Sequence, residues 1–163
     1  MRDATQPVGP IGGPVIRLRN SILIDVPPKR VWAWLNDLPL HYREWHPGHV
    51  TCRYEQGKSL EVGSVLYVEE YLHQRLHRLR LRATQVEPGR LLRYRNPAFR
   101  GAFLLEPVER GTRFTAELDF GTRIPIIAPA LDAVLRKLLA RQMADLQVHM
   151  GEEGRNLKRV LEG

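Results

Sequence analysis

Between Val50 and Phe120 the chain reads as six consecutive strands, and beyond them as one long helix. No other feature narrows the fold as much. In Ser64–Leu72 and Leu76–Glu87 side chains of opposite character alternate, with Leu79, Leu81 and Ala83 set against Arg78, Arg80 and Arg82, the period of a strand with one wet face. Val50–Tyr54, Leu91–Arg95, Ala102–Pro107 and Thr112–Phe120 complete the set. Gln56-Gly57-Lys58, Gly63, Pro88-Gly89 and Glu109-Arg110-Gly111 supply the turns between them, because glycine reaches backbone angles closed to other residues. From about Pro125 to Leu161 the period changes. Leu131, Leu135, Leu138, Leu139, Gln142, Leu146, Leu157 and Val160 recur at threes and fours, which is one face of a helix. Gly151 and Gly154 weaken its last third, each costing about 1 kcal/mol relative to Ala. Ahead of the strands, Ile16–Val26 reads as a further strand, ended by Pro27-Pro28, which open a short helix over Lys29–Leu35. A second helical piece covers Leu40–Trp45. Antiparallel strands with one long helix give an α+β fold. The sheet must curve around that helix, with the two short helices closing one end and a cavity left for an apolar or aromatic small molecule.

A chain of 163 residues, 43% hydrophobic and 26% charged, suits one globular domain. Residues 1–14 are rich in Pro and Gly without periodicity and read as a flexible tail, leaving 15–163 as the domain. There is no run of about 18 apolar residues and no basic segment followed by an apolar core at the N-terminus. The single cysteine, Cys52, points to a reducing compartment, so a cytoplasmic location is expected. The net charge of +7 is scattered along the chain, and the arginines of 75–82 read as a solvated strand face. Neither a nucleic-acid nor a membrane partner is expected, and a homodimer is compatible with the sequence. Gly-x-Ser-x-Gly elbows and glycine-rich phosphate loops are absent.

Two residues break the apolar stripe of the last helix. His149 and Glu153 lie four apart, so they share one face a turn apart, where a core-facing helix would carry leucines. An ionisable pair aimed inward is costly without compensation, and a His with a carboxylate is a ligand pair for a hard or borderline metal ion. The third strand adds Glu69-Glu70, although glutamate is depleted in strands. Adjacent residues face opposite sides, and Glu70 shares the more apolar face with Leu66, Val68 and Leu72. His46 and His49 flank the turn Pro47-Gly48. His41, His73 and His77 read as surface or cavity-rim groups, and Trp32, Trp34 and Trp45 as core.

The element order resembles the helix-grip, Bet v 1-like superfamily (SRPBCC), which includes START domains and polyketide cyclases. Two segments are similar to the 2,4-diacetylphloroglucinol hydrolase and phloretin hydrolase family: Tyr42-Arg43-Glu44-Trp45-His46-Pro47-Gly48-His49 and His149-Met150-Gly151-Glu152-Glu153. That resemblance implies metal-dependent hydrolysis of a carbon–carbon bond between an aromatic ring and an acyl group. It implies an ion, usually zinc, held by two His and two Glu. On this chain the set becomes His149, Glu153, Glu70 and either His46 or His49. A hairpin turning near Ser59 would set His49 opposite Glu70, which favours His49 slightly. Manganese or iron would also suit these ligands. Glu70 and His149 would then act at the reacting atoms, with Tyr67, Tyr71 or His73 as the proton donor. The expectation is an enzyme acting on an acylated phenol or related β-dicarbonyl compound. The alternatives are a non-catalytic binder or carrier of a hydrophobic small molecule and a cyclase-like protein. The resemblance does not extend to the extra N-terminal region of those hydrolases.

Overall fold

A computed structural model describes residues 15–121 and 129–163. The tail over 1–14, the expected helix start at Pro125, and the side chains of Leu131, Leu135, Leu138 and Leu139 lie outside the described residues.

Strand β1 (Val15–Ile24) leads into helices α1 (Pro28–Asn36) and α2 (Leu38–Trp45). Strands β2 (His49–Gln56), β3 (Val65–Leu72), β4 (Arg75–Glu87), β5 (Leu91–Arg95), β6 (Arg100–Val108) and β7 (Gly111–Gly121) follow, and helix α3 (Pro129–Glu162) ends the fold. The strands form one antiparallel sheet in the order β1-β7-β6-β5-β4-β3-β2. The two edges are therefore the strands that flank α1 and α2 in sequence. α2 packs on β2 and against α3, and α3 packs on β1, so these two helices together bridge the edges.

α3 covers the free edge of β1 with hydrogen bonds as well as packing. Lys158 Nζ donates to the Leu23 carbonyl at 2.9 Å and Gln147 Nε2 to the Arg19 carbonyl at 2.9 Å. The Asp25 amide donates to Glu162 at 2.7 Å. Carbonyls satisfied in this way cannot recruit another strand. Leu157, fully buried, and Leu161 anchor the helix to the core beside Ile24 and Phe114; a side chain so placed contributes about 2–3 kcal/mol.

The glycines of α3 do not end it. The helix runs through Gly151 and Gly154, both buried against β1. A Cβ at 154 would press to 3.0 Å from Asn20 Oδ1 and 3.6 Å from Ile22. The propensity cost of glycine is offset by the close approach of helix and strand. Gln142, expected on the inward stripe, is exposed.

Candidate functional site

The site lies where α2, β2, β3 and α3 meet at one end of the cavity. β3 alternates as expected: Leu66, Val68 and Glu70 line the cavity while Tyr71 is exposed. The hairpin register sets His49 directly opposite Glu70. An irregularity between His49 and Thr51 makes that pairing, since the register from Thr51 to Tyr54 is offset from it by one residue. Bulges of this kind re-aim side chains beside functional sites.

From α3, His149 and Glu153 project to the same point. His49 Nε2 lies 2.9 Å from Glu153 Oε1 and 3.6 Å from Glu70 Oε2, and His149 Nε2 lies 3.3 Å from Glu153 Oε1. One donor atom from each of His49, Glu70, His149 and Glu153 falls within 4.8 Å of all the others. Ligands about 2.0–2.2 Å from a tetrahedral ion stand roughly 3.4 Å apart, so the spacing suits a small divalent cation.

The hydrogen bonds around the cluster explain why it wants positive charge. His49 Nδ1 sits 3.0 Å from the Tyr42 carbonyl, which only accepts. Nδ1 therefore carries the hydrogen, and Nε2 turns its lone pair toward two carboxylates. That arrangement is repulsive unless a proton or a metal ion lies between. His149 Nε2 is buried and, despite its 3.3 Å approach to Glu153, has no partner at hydrogen-bonding geometry among the described residues. Tyr42 holds the arrangement from behind. Its hydroxyl donates to Glu70 Oε2 at 2.7 Å, and its ring stacks on His49 with centroids 4.0 Å apart. Trp45 Nε1 donates to the Glu153 carbonyl at 3.0 Å.

Burial alone would raise the Glu153 carboxyl. The neighbouring His149 and His49 outweigh it and hold the group at about 2. Burial likewise works against a charged His149, but Glu153 and then Glu70 raise it above its ordinary value. A carboxyl depressed from 4.5 contributes stability that is fully present above pH 4.5 and lost as pH falls toward 2. Metal-free protein is expected to lose stability as pH falls from 4.5 toward 2, read as a falling urea midpoint, and Glu153→Gln should flatten the fall.

Other expected residues lie elsewhere. His46 turns away from the carboxylate pair: its Nε2 is 2.9 Å from Glu152 Oε2, and its Nδ1 accepts from the Gly48 amide at 2.9 Å. It joins only an all-histidine group with His49 and His149. Tyr71 and His73, expected as proton donors, do not line the cavity. Tyr71 points outward by strand parity. His73 occupies the β3–β4 turn at φ 51° and faces Asp145 at 3.2 Å. Tyr67 also lies on the outer face, donating to Glu69 beneath Arg53. His77 stands opposite Glu70 on β4, and His41 stacks on Trp34. Cys52 is buried, and burial pushes its thiol up to about 12, which leaves it unreactive.

Two tyrosines take the places those residues were expected to fill. Tyr42 shares a helix face with Leu38 and Trp45, a spacing of four and three visible in the sequence. Tyr94 alternates with Arg93 and Arg95 on β5 and so faces inward with Leu92. It lies flat over Gly101, where a Cβ would come within 2.2 Å of its ring. Its hydroxyl has no hydrogen-bond partner among the described residues. Burial, then the charges of Glu153 and Glu70, push its pKa well above the usual phenol value, so it stays protonated. Tyr94 and the cluster residues Glu70, His149 and Glu153 line one cavity of about 100 Å³, otherwise walled by residues such as Leu66, Leu92, Phe103 and Met150.

A family profile described as polyketide cyclase / dehydrase and lipid transport matches residues 15–162. The chain belongs to that family. Solved structures similar to this family member include TTHA0849 from Thermus thermophilus, with 16% identity over 90% of this chain and 97% of that one, TM-score 0.68. Another is the Zhui aromatase/cyclase from Streptomyces sp. R1128, with 15% identity over 90% and 96%, TM-score 0.62. A third is Ara h 8.0201, with 10% identity over 91% and 98%, TM-score 0.59. These likenesses establish the helix-grip, Bet v 1-like fold. No curated protein matches the chain. None of its described helices is long and apolar enough to cross a membrane.

Proposed function

We propose that this protein is a metal-dependent enzyme acting on an apolar aromatic carbonyl compound, with an acylated phenol or related β-dicarbonyl as substrate and carbon–carbon hydrolysis as reaction. The observation that carries the proposal is the convergence of His49, Glu70, His149 and Glu153, with one imidazole nitrogen buried and unpartnered. Two imidazoles and two carboxylates suit zinc, and also manganese or iron. The similarity of Tyr42–His49 and His149–Glu153 to the acylphloroglucinol and phloretin hydrolases supports the same reading.

A divalent ion held there supplies Lewis acidity and a bound water of lowered pKa. The chain's own residues do the rest. Apolar walls exclude water and hold the ring. Tyr94, kept protonated, donates a hydrogen bond to a phenolic or acyl oxygen of a ligand in the cavity. Tyr42 fixes Glu70 and the His49 ring from behind, as outer partners of metal ligands do. Tyr42→Phe is expected to weaken divalent-ion affinity about 10- to 100-fold, measured by competition with a chromophoric chelator. The cavity is of the order of the roughly 150 Å³ that takes up benzene, which favours a single substituted ring over a fused polycycle.

Elemental mass spectrometry on protein purified without chelators tests the proposal. One zinc, manganese or iron per chain is expected. Metal-free protein with an intact fold would overturn it. Family membership favours a second reading, a carrier or cyclase-like protein that uses the same cavity without metal. That reading calls for tight binding of an aromatic ligand indifferent to EDTA, whereas the first calls for binding or turnover that EDTA abolishes.

A further inference from the structure

The outer face of the sheet, away from the cavity, carries an unbalanced group of charges. Arg82 on β4 is paired in register with Arg95 on β5, and Arg95 with Arg100 on β6. Directly paired residues share a face, with neighbouring strands about 4.8 Å apart. Three arginines thus stand in a row across three strands, and like charges so placed repel. Arg93, two residues away on the same face of β5, adds a fourth.

The rest of this face is balanced. Arg17 pairs with Asp119 at 2.6 Å, Arg19 with Glu117 at 3.3 Å, Arg78 with Glu69 at 3.3 Å and Arg80 with Glu55 at 2.7 Å. Among the described residues, none of Arg82, Arg93, Arg95 and Arg100 has a carboxylate within 4.0 Å. Arg82 donates instead to the Gly63 carbonyl and to Gln56. All four side chains are exposed.

Three of these arginines line a recess of about 310 Å³, with Gly101 and Ala102 among its walls. Thr84, at an irregularity in the β4–β5 register, borders it, its hydroxyl donating to the Arg93 carbonyl at 3.2 Å. Glu117 and Asp119 form the far wall; Asp119 is in register with Arg100, but its carboxylate is engaged by Arg17 on the other side, as Glu117 is by Arg19.

We infer that this recess binds a polyphosphate group carried by a small molecule. Guanidinium groups offer planar forks that match phosphate oxygens in pairs. The excess charge is confined to four residues ringed by ion pairs, which matches the three or four negative charges of a di- or triphosphate. An extended nucleic acid requires a longer basic track, and unstructured strands also require free aromatic platforms. The one tyrosine placed on this face by strand parity near the arginines, Tyr67, is covered by Arg53 and Arg80. The inference does not depend on the metal centre.

Calorimetric titration of the full chain with sodium tripolyphosphate tests it, with ATP, inorganic phosphate and a single-stranded oligonucleotide as parallel probes. One tripolyphosphate per chain is expected, with a rise in Tm as the arginine repulsion is relieved. Arg95→Gln and Arg100→Gln should each weaken binding about 10-fold or more, and the double variant should abolish it. Arg90→Gln, on a turn and paired with Glu87, should change nothing. ATP binding equal to tripolyphosphate would mean that the phosphates alone are read; tighter ATP binding would add a nucleoside to the ligand. Either supports the site. It is overturned by absent binding, by binding unchanged in the double variant, or by oligonucleotide binding that tripolyphosphate does not displace. Arg100→Glu supplies a second check: it puts a carboxylate between Arg95 and Asp119 and should remove tripolyphosphate binding altogether.

Discussion

A Glu153→Ala variant is expected to fold and to lose more than about 100-fold in divalent-ion affinity, so that it leaves purification essentially metal-free. Glu153 is the hub of the cluster, within 2.9 Å of His49 and 3.3 Å of His149. Loss of an outer-shell partner already costs 10- to 100-fold, and loss of a donor atom costs more. The ion would also keep only Glu70 to offset its charge in a desolvated site. Alanine is the best helix former, so α3 should persist, and circular dichroism should show it. Glu153→Gln separates charge from shape: it retains a hydrogen-bonding oxygen, yet should fall nearly as far in affinity. Zinc titration and elemental analysis read both variants. Stoichiometric metal retained in Glu153→Ala would sink the four-ligand centre.

Gly101→Ala is expected to erase the cavity's preference for phenolic ligands without touching the metal. Its new methyl would stand 2.2–2.5 Å from three atoms of the Tyr94 ring and hydroxyl. The ring must turn away, because the other side of Gly101 is sheet backbone. Overpacking of this kind costs about 1–3 kcal/mol of stability, and it takes the hydroxyl out of position. Wild-type protein should bind 4-hydroxyacetophenone about 10-fold more tightly than acetophenone, the scale of one buried hydrogen bond. Tyr94→Phe and Gly101→Ala should both lose that preference while keeping one ion per chain. If the preference survives in both, Tyr94 does not orient the ligand, whatever the metal content.

Much of this site was legible in the sequence because two of its elements obey simple periods. A spacing of four on a helix placed His149 and Glu153 together, and strand parity aimed Glu70 rather than Glu69 inward. The same parity, applied to β5, would have turned Tyr94 inward, and the helix spacing of α2 would have set Tyr42 beside Trp45. Tyr94 lies far from any metal-ligand pattern, and Tyr42, although it opens the segment that ends in His49, carries no ligand chemistry that would single it out. Tyr71 and His73 were chosen for chemistry and proximity along the chain. Strand parity puts Tyr71 on the outer face, and His73 sits in a turn with left-handed φ beyond the end of the strand. The glycines of α3 weaken the helix by propensity, yet the structure keeps it continuous through them. Their propensity cost is real, but the close approach of β1 at Asn20 and Ile22 makes them packing residues rather than a helix end.

The sequence by itself determined the number and order of strands, the inward faces of β3 and β4 and the shared face of His149 and Glu153, because these depend on backbone periods of 2.0 and 3.6 residues. Only the tertiary structure chose His49 over His46. A local register shift in the β2–β3 hairpin swings one histidine under Tyr42 and leaves the other with Glu152. Only the sheet order set Arg82, Arg95 and Arg100 in one row, since that row runs across three strands and is invisible along any of them. Which polar groups converge is decided by long-range pairing and sheet curvature, and these are fixed when the whole core closes around α3.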